Sequence, residues 1–202
     1  MPRSHRLQVA GGIYHVTARG NRRQPVFADV EDHLRFLWLL DALARRRGWL
    51  GYGYCLMPNH YHLVLETPKP DLSAGMHWLN FRYAQAFNHR HAVDGHLFQG
   101  RFYSAQVEGD WHLLELFRYL ALNPVEAGLC RHPGEWIWSS YAEAVGSARP
   151  TAFSPCAASS ASSDGSRGQR GPGSRPSSTT RLAVHRGDPS GHGRGLTPGR
   201  PG

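Results

Sequence analysis

His60 and His62 stand two residues apart in the run Tyr54-Cys55-Leu56-Met57-Pro58-Asn59-His60-Tyr61-His62-Leu63-Val64-Leu65. A strand sends alternate side chains to opposite faces, so both imidazoles would project from one face while Tyr61, Leu63 and Leu65 point to the other. Two neutral ring nitrogens presented in this way can be given to one divalent cation. Pro58-Asn59 immediately before them places the pair at a strand entrance, near solvent. For an isolated His-x-His, two ordinary sheet histidines are the commoner case, so the tripeptide needs company before it means a metal.

Company is found in Trp111-His112-Leu113-Leu114-Glu115-Leu116-Phe117-Arg118-Tyr119-Leu120-Ala121-Leu122-Asn123-Pro124-Val125. Leu113, Leu116, Phe117 and Leu120 recur at three- and four-residue steps, the apolar stripe of an amphipathic helix. Tyr119 and Asn123 are four apart and share a face of that helix. Pro124 disfavours α conformation at Asn123, which places the pair at a helix end or kink. Taken alone, Tyr-x-x-x-Asn-Pro reads as a helix cap with a tyrosine against the core.

The elements that must position these groups follow the order strand, helix, strand, strand, helix, strand, helix. Residues 12–19 read as the first strand, bounded by Gly-Gly and Gly-Asn. A helix over 29–47 starts on an Asp with an acidic first turn and stops at Gly48. Strands over 49–57 and 60–67 are joined at Pro58-Asn59 and are expected at the sheet centre. A second helix covers 71–91, with Met76, Leu79, Tyr83, Ala86 and Phe87 inward. The last strand spans 102–108, ahead of the Tyr119 helix. This is an α+β chain on the ferredoxin-like βαββαβ plan, an antiparallel sheet with helices on one face and the other face open for the histidines and a strand of nucleic acid.

Five segments in this order resemble one family. They are Leu56 to Val64, the upstream Tyr14-His15-Val16-Thr17-Ala18-Arg19-Gly20-Asn21, Phe98-Gln99-Gly100-Arg101-Phe102, Tyr119 to Val125, and Trp138-Ser139-Ser140-Tyr141. Together they look like the REP-associated tyrosine transposases, of the single-tyrosine HUH class of single-strand DNA endonucleases, and the likeness covers roughly residues 5 to 146. The resemblance implies Tyr119 as nucleophile on a C-terminal catalytic helix, with a 5′-phosphotyrosine and a free 3′-hydroxyl as products. It implies a Mg²⁺ or Mn²⁺ ion on His60, His62 and the polar residue one turn after the tyrosine. Here that residue is Asn123, an amide where some relatives carry Gln or an acid. It also implies single-stranded or hairpin DNA, from repetitive palindromes, as the substrate. His112 and proximity to the metal are the candidates for activating the phenol, and His15 could approach the same ion or serve as a sheet histidine.

Composition bounds the rest. The chain has 202 residues and a formal charge of +8. Residues 147–202 hold eight Arg and two Asp, a net +6, so the body carries only +2 and its basicity must be local. Arg19, Arg22 and Arg23, with Arg3 and Arg6, precede the first acid, Asp29, and arginine forks suit phosphate oxygens. Arg101, beside Gly100 and Phe102, is the other DNA-contact candidate. Arg45, Arg46 and Arg47 read instead as charges loading a helix C-terminus. Three cysteines without Cys-x-x-Cys spacing indicate neither a disulfide scaffold nor a zinc ribbon, and no apolar run approaches the length of a membrane span. A cytoplasmic, nucleoid-associated bacterial protein fits. One domain over 1–146 is expected, followed by a Ser/Gly/Pro/Arg-rich tail over 147–202 with the composition of a disordered segment. That tail also reads like a high-GC gene out of frame, and the whole chain's one Lys against 22 Arg fits a high-GC source. A noncatalytic single-strand-binding module on the same sheet and a water-using metal hydrolase are the competing readings.

Overall fold

The computed structural model describes residues 8–148 and residue 153. Strand β1 is Gly12–Arg19, helix α1 Val30–Arg47, β2 Leu50–Met57, β3 His60–Thr67, α2 Leu72–His91, β4 Tyr103–Gln106, α3 Gly109–Glu126 and α4 Tyr141–Ala144. Local chemistry sets these limits. Asp29 caps α1 by accepting the amide of Asp32 at 3.1 Å, and Gly48 ends it in the left-handed region at φ 68°. The third helix, α3, runs two residues past Pro124, so Asn123 is helical and lies in the last turn.

The four strands form one antiparallel sheet in the order β2-β3-β1-β4. This corrects the expectation that the β2–β3 hairpin is central: β1 inserts between β3 and β4, and β2 lies at the edge. The edge is covered, which explains why β2 reads as a buried run. Leu56 donates its amide to Trp138 at 2.8 Å, Ser140 donates to the carbonyl of Tyr54 at 3.0 Å, and the Trp136 indole donates to Leu56 at 3.1 Å. The ladder of β4 stops at Gln106, a shorter strand than expected, although Val107 still donates to Ile13 at 2.8 Å.

Two apolar clusters lie on the two sheet faces. Tyr14, Val16, Tyr61, Leu63 and Leu65 point to α1 and α2, where Phe36, Leu40, Met76, Leu79 and Tyr83 meet them. Cys55, Met57 and Val64 point the other way and pack with Val107, Leu116 and Leu120. The second face is therefore not open throughout: α3 covers part of it and brings its own side chains down onto the histidines. Phe153 is buried in the first cluster, where a Cβ added to Gly51 would lie 2.7 Å from its ring. The remainder of the tail, with its composition-based and out-of-frame readings, lies outside the described residues, as do Arg3 and Arg6.

Candidate active site

The period-two pattern of β3 puts His60 and His62 on the face shared with α3, and each imidazole is oriented by a different neighbour. Asn59 Nδ2 donates to the carbonyl of Arg23 at 3.2 Å, which turns its Oδ1 toward His60 Nδ1 at 2.7 Å. Only a protonated Nδ1 can use that oxygen, so His60 keeps a lone pair on Nε2. The Arg23 carbonyl gets there because Arg22 and Arg23 both take left-handed backbone, at φ 53° and 60°, strain that non-glycine residues rarely carry. His62 is 5% exposed, with Nδ1 3.0 Å from His15 Nε2 and Nε2 3.4 Å from Asn123 Nδ2. The His15 and His62 rings are nearly coplanar, 16° apart, and meet edge to edge with centroids 5.2 Å apart.

Tyr119 closes the arrangement from α3. Its ring meets His62 edge-on at 5.3 Å and His15 at 6.3 Å, yet it remains 44% exposed, so solvent or a ligand can reach it. Asn123, one turn on, is buried at 9% exposure. The helix stripe of Leu116 and Leu120 in the second cluster fixes this rotation, since burying those residues leaves Tyr119 and Asn123 facing the histidines.

The imidazoles are held neutral. Burial lowers His62 to about 3, with His60, His15 and Arg19 adding to the effect. Burial, then Arg19, lowers His60 to about 4, and burial, then His112, lowers His15 to about 4. Neutral imidazoles with bare nitrogens are what a cation requires.

A cavity of about 370 Å³ opens on the histidines, walled by Thr17, Arg19, Gln99, Gly100, Arg101 and Tyr103. Of the expected phosphate-contacting arginines, Arg19 and Arg101 therefore line the site, whereas Arg22 and Arg23 sit exposed on the turn beyond it. A groove of about 1070 Å³ between α2 and residues 95–102 shares the Gln99 to Arg101 wall but is not lined by His15, His60 or His62. His112 is on α3, and its Nδ1 accepts the amide of Glu108 at 3.2 Å, which engages one of its two nitrogens. The orienting role of Asn59 was missed by sequence reasoning, and only its place directly before His60 hinted at it.

A second group of ligand-type atoms, from Asp29, Asp32 and His91, lies within 4.8 Å of one another, a possible metal-binding set. It is distant in role from the histidine site. Arg90 pairs with Asp29 at 2.6 Å and with Asp32 at 2.8 Å, and its hydrogen bond holds Asp29 down to about 2. The carboxylates already have their cation, and the cluster ties the start of α1 to the end of α2. Arg47 likewise pairs with Asp71 at 2.6 Å, in keeping with a structural reading of that basic run.

The family model described as "Transposase IS200 like" matches residues 8–123. The chain belongs to the IS200-like transposase family. Membership of the IS200-like transposases implies an enzyme that cleaves and transposes DNA. The chain is also similar to a solved structure described as a REP-associated tyrosine transposase bound to a REP hairpin, at 21% identity and a TM-score of 0.60, over 72% of this chain and 86% of that one. That likeness confirms the α+β fold. A putative transposase from Deinococcus radiodurans R1 is 21% identical with a TM-score of 0.41, over 59% of this chain and 93% of that one. No curated protein matches. Among the described residues, no helix is long and apolar enough to cross a membrane.

Proposed function

We propose that this IS200-like transposase cleaves and rejoins single-stranded DNA through a tyrosyl-DNA intermediate, with Tyr119 as nucleophile. The observation that carries the reading is the convergence of α3 on β3: Tyr119 packs edge-on against His62 while Asn123, one turn later, reaches the far nitrogen of the same ring. A core histidine pair has no need of an exposed tyrosine and a buried amide at helical spacing.

The donor set fits a divalent cation. His60 and His62 are neutral, His60 has Nε2 unprotonated, and the Asn123 amide can present its oxygen by turning about its last torsion. His60, His62 and Asn123 would hold Mg²⁺ or Mn²⁺, which when bound offsets charge on the phosphate oxygens. Arg19 and Arg101, which both line the same cavity, would hold the phosphate in place. The Tyr119 hydroxyl oxygen then bonds to phosphorus as the bond to the 3′ oxygen breaks. The phenolic proton ends on the departing 3′-hydroxyl, and the 5′-phosphate remains on Tyr119. One ester replaces another, so rejoining needs no nucleotide cofactor. The solved relative's hairpin suggests a structured single strand as substrate, with a paired stem beside the cleaved segment.

Hairpin-containing single strands from the flanks of the gene, incubated with the full chain and Mn²⁺, test this on a denaturing gel. A covalent adduct is expected, absent with Tyr119→Phe and with chelator, while binding of the strand by Tyr119→Phe stays near wild type. Cleavage by Tyr119→Phe at the wild-type rate would exclude Tyr119 as nucleophile. Binding without any adduct would favour a noncatalytic single-strand binder.

A further inference from the structure

His60 and His62 differ in what holds them. Asn59, tied to the Arg23 carbonyl, leaves His60 with one possible neutral tautomer. For His62 the neighbour is another imidazole, His15 on β1, and the proton between them can sit on either ring. The register explains the meeting: Thr17 is directly opposite His62 and His15 opposite Val64, so His15 reaches His62 diagonally on the same sheet face. If His15 Nε2 donates, His62 Nδ1 accepts and its Nε2 carries the hydrogen, closing it to a cation. If His62 Nδ1 donates, its Nε2 is bare. The donor amide of Asn123 faces that Nε2 at 3.4 Å, which matches the bare form.

We propose that His15 is a positioning residue: its Nε2 accepts the Nδ1 hydrogen of His62, and its ring, nearly coplanar with His62 and meeting it edge to edge, fixes that imidazole with Nε2 turned to Asn123. This rests on His62 being a metal ligand. The partner of a ligating imidazole's far nitrogen sets its tautomer and raises its basicity, and losing such a partner typically costs about 10- to 100-fold in metal affinity. His15 itself is not a ligand in this account, because its Nε2 is used on His62.

Two measurements test it on the full chain. Nitrogen-15 NMR of histidine-labelled protein in chelator, with His62 assigned through His62→Gln, should show His62 hydrogenated at Nδ1. A hydrogen on Nε2 overturns the proposal. Mn²⁺ binding, followed by the loss of the free-ion EPR signal, should weaken about 10- to 100-fold in His15→Leu. His15→Gln, which restores an acceptor oxygen, should recover most of that loss. Unchanged Mn²⁺ affinity in a folded His15→Leu overturns the proposal, as does a Gln variant no better than Leu. If His15→Leu fails to fold, the tautomer of the wild-type chain decides. A wild type that binds no Mn²⁺ would instead defeat the metal reading, while the tautomer measurement still reports on His15.

Discussion

Replacing His62 should flatten the acid limb of the stability curve. The side chain is 5% exposed and burial lowers it from 6.5 to about 3, so the folded chain refuses a proton that the unfolded chain accepts. Above 6.5 both states are neutral at this residue and its contribution is constant. As pH falls from 6.5 toward about 3, only the unfolded state gains the proton, so stability is lost across that window. One such histidine lowers stability by about 1 kcal/mol per pH unit near pH 5.5, and by about 2 kcal/mol in all between pH 8 and pH 5. His15 and His60 act in the same direction, but both are more open, and screening reduces what they add. Urea unfolding followed by CD, at a series of pH values with chelator present, measures the slope for wild type and His62→Gln. The variant is expected to be weaker at pH 8 for want of packing; the slope is the readout. Equal slopes for the two proteins between pH 6.5 and pH 5 would refute the claim that His62 is buried neutral.

Arg19→Gln and Arg101→Gln should each weaken single-strand binding and reduce the salt slope by about one unit, measured by fluorescence anisotropy over a salt series, whereas the same change at Arg45, whose partner is Asp41, should do neither. Phe153→Ala should cost about 3 kcal/mol in urea unfolding, since the ring is 2% exposed and packs on Gly51; a near-neutral result would place Phe153 outside the folded body. Deleting residues 154–202 removes seven of the eight tail arginines, so binding to any single strand should weaken at low salt while the cleaved bond stays the same; a shifted cleavage position would give the tail a part in recognition.

Local sequence determined the pieces. The alternation of His60, Tyr61, His62, Leu63 puts the imidazoles on one face, because a strand has a period of two in any surroundings. Asp29 and Gly48 bound α1 through hydrogen bonds and backbone freedom that belong to the residues themselves. The Leu116 and Leu120 stripe likewise commits Tyr119 and Asn123 to a common helix face before any partner is known. Tertiary structure decided what those faces meet. The β2–β3 pair was expected at the sheet centre, yet β2 lies at the edge and is covered by residues 136–140 lying along it, a contact between segments some 80 residues apart. The helix over the second sheet face, the diagonal reach of His15 to His62 across 47 residues, and that of Asn123 across 61 arise from pairing register and layer packing. Periodicity carries no record of such separations, because it is set by neighbours along the chain, whereas these contacts join residues 47 to 84 positions apart.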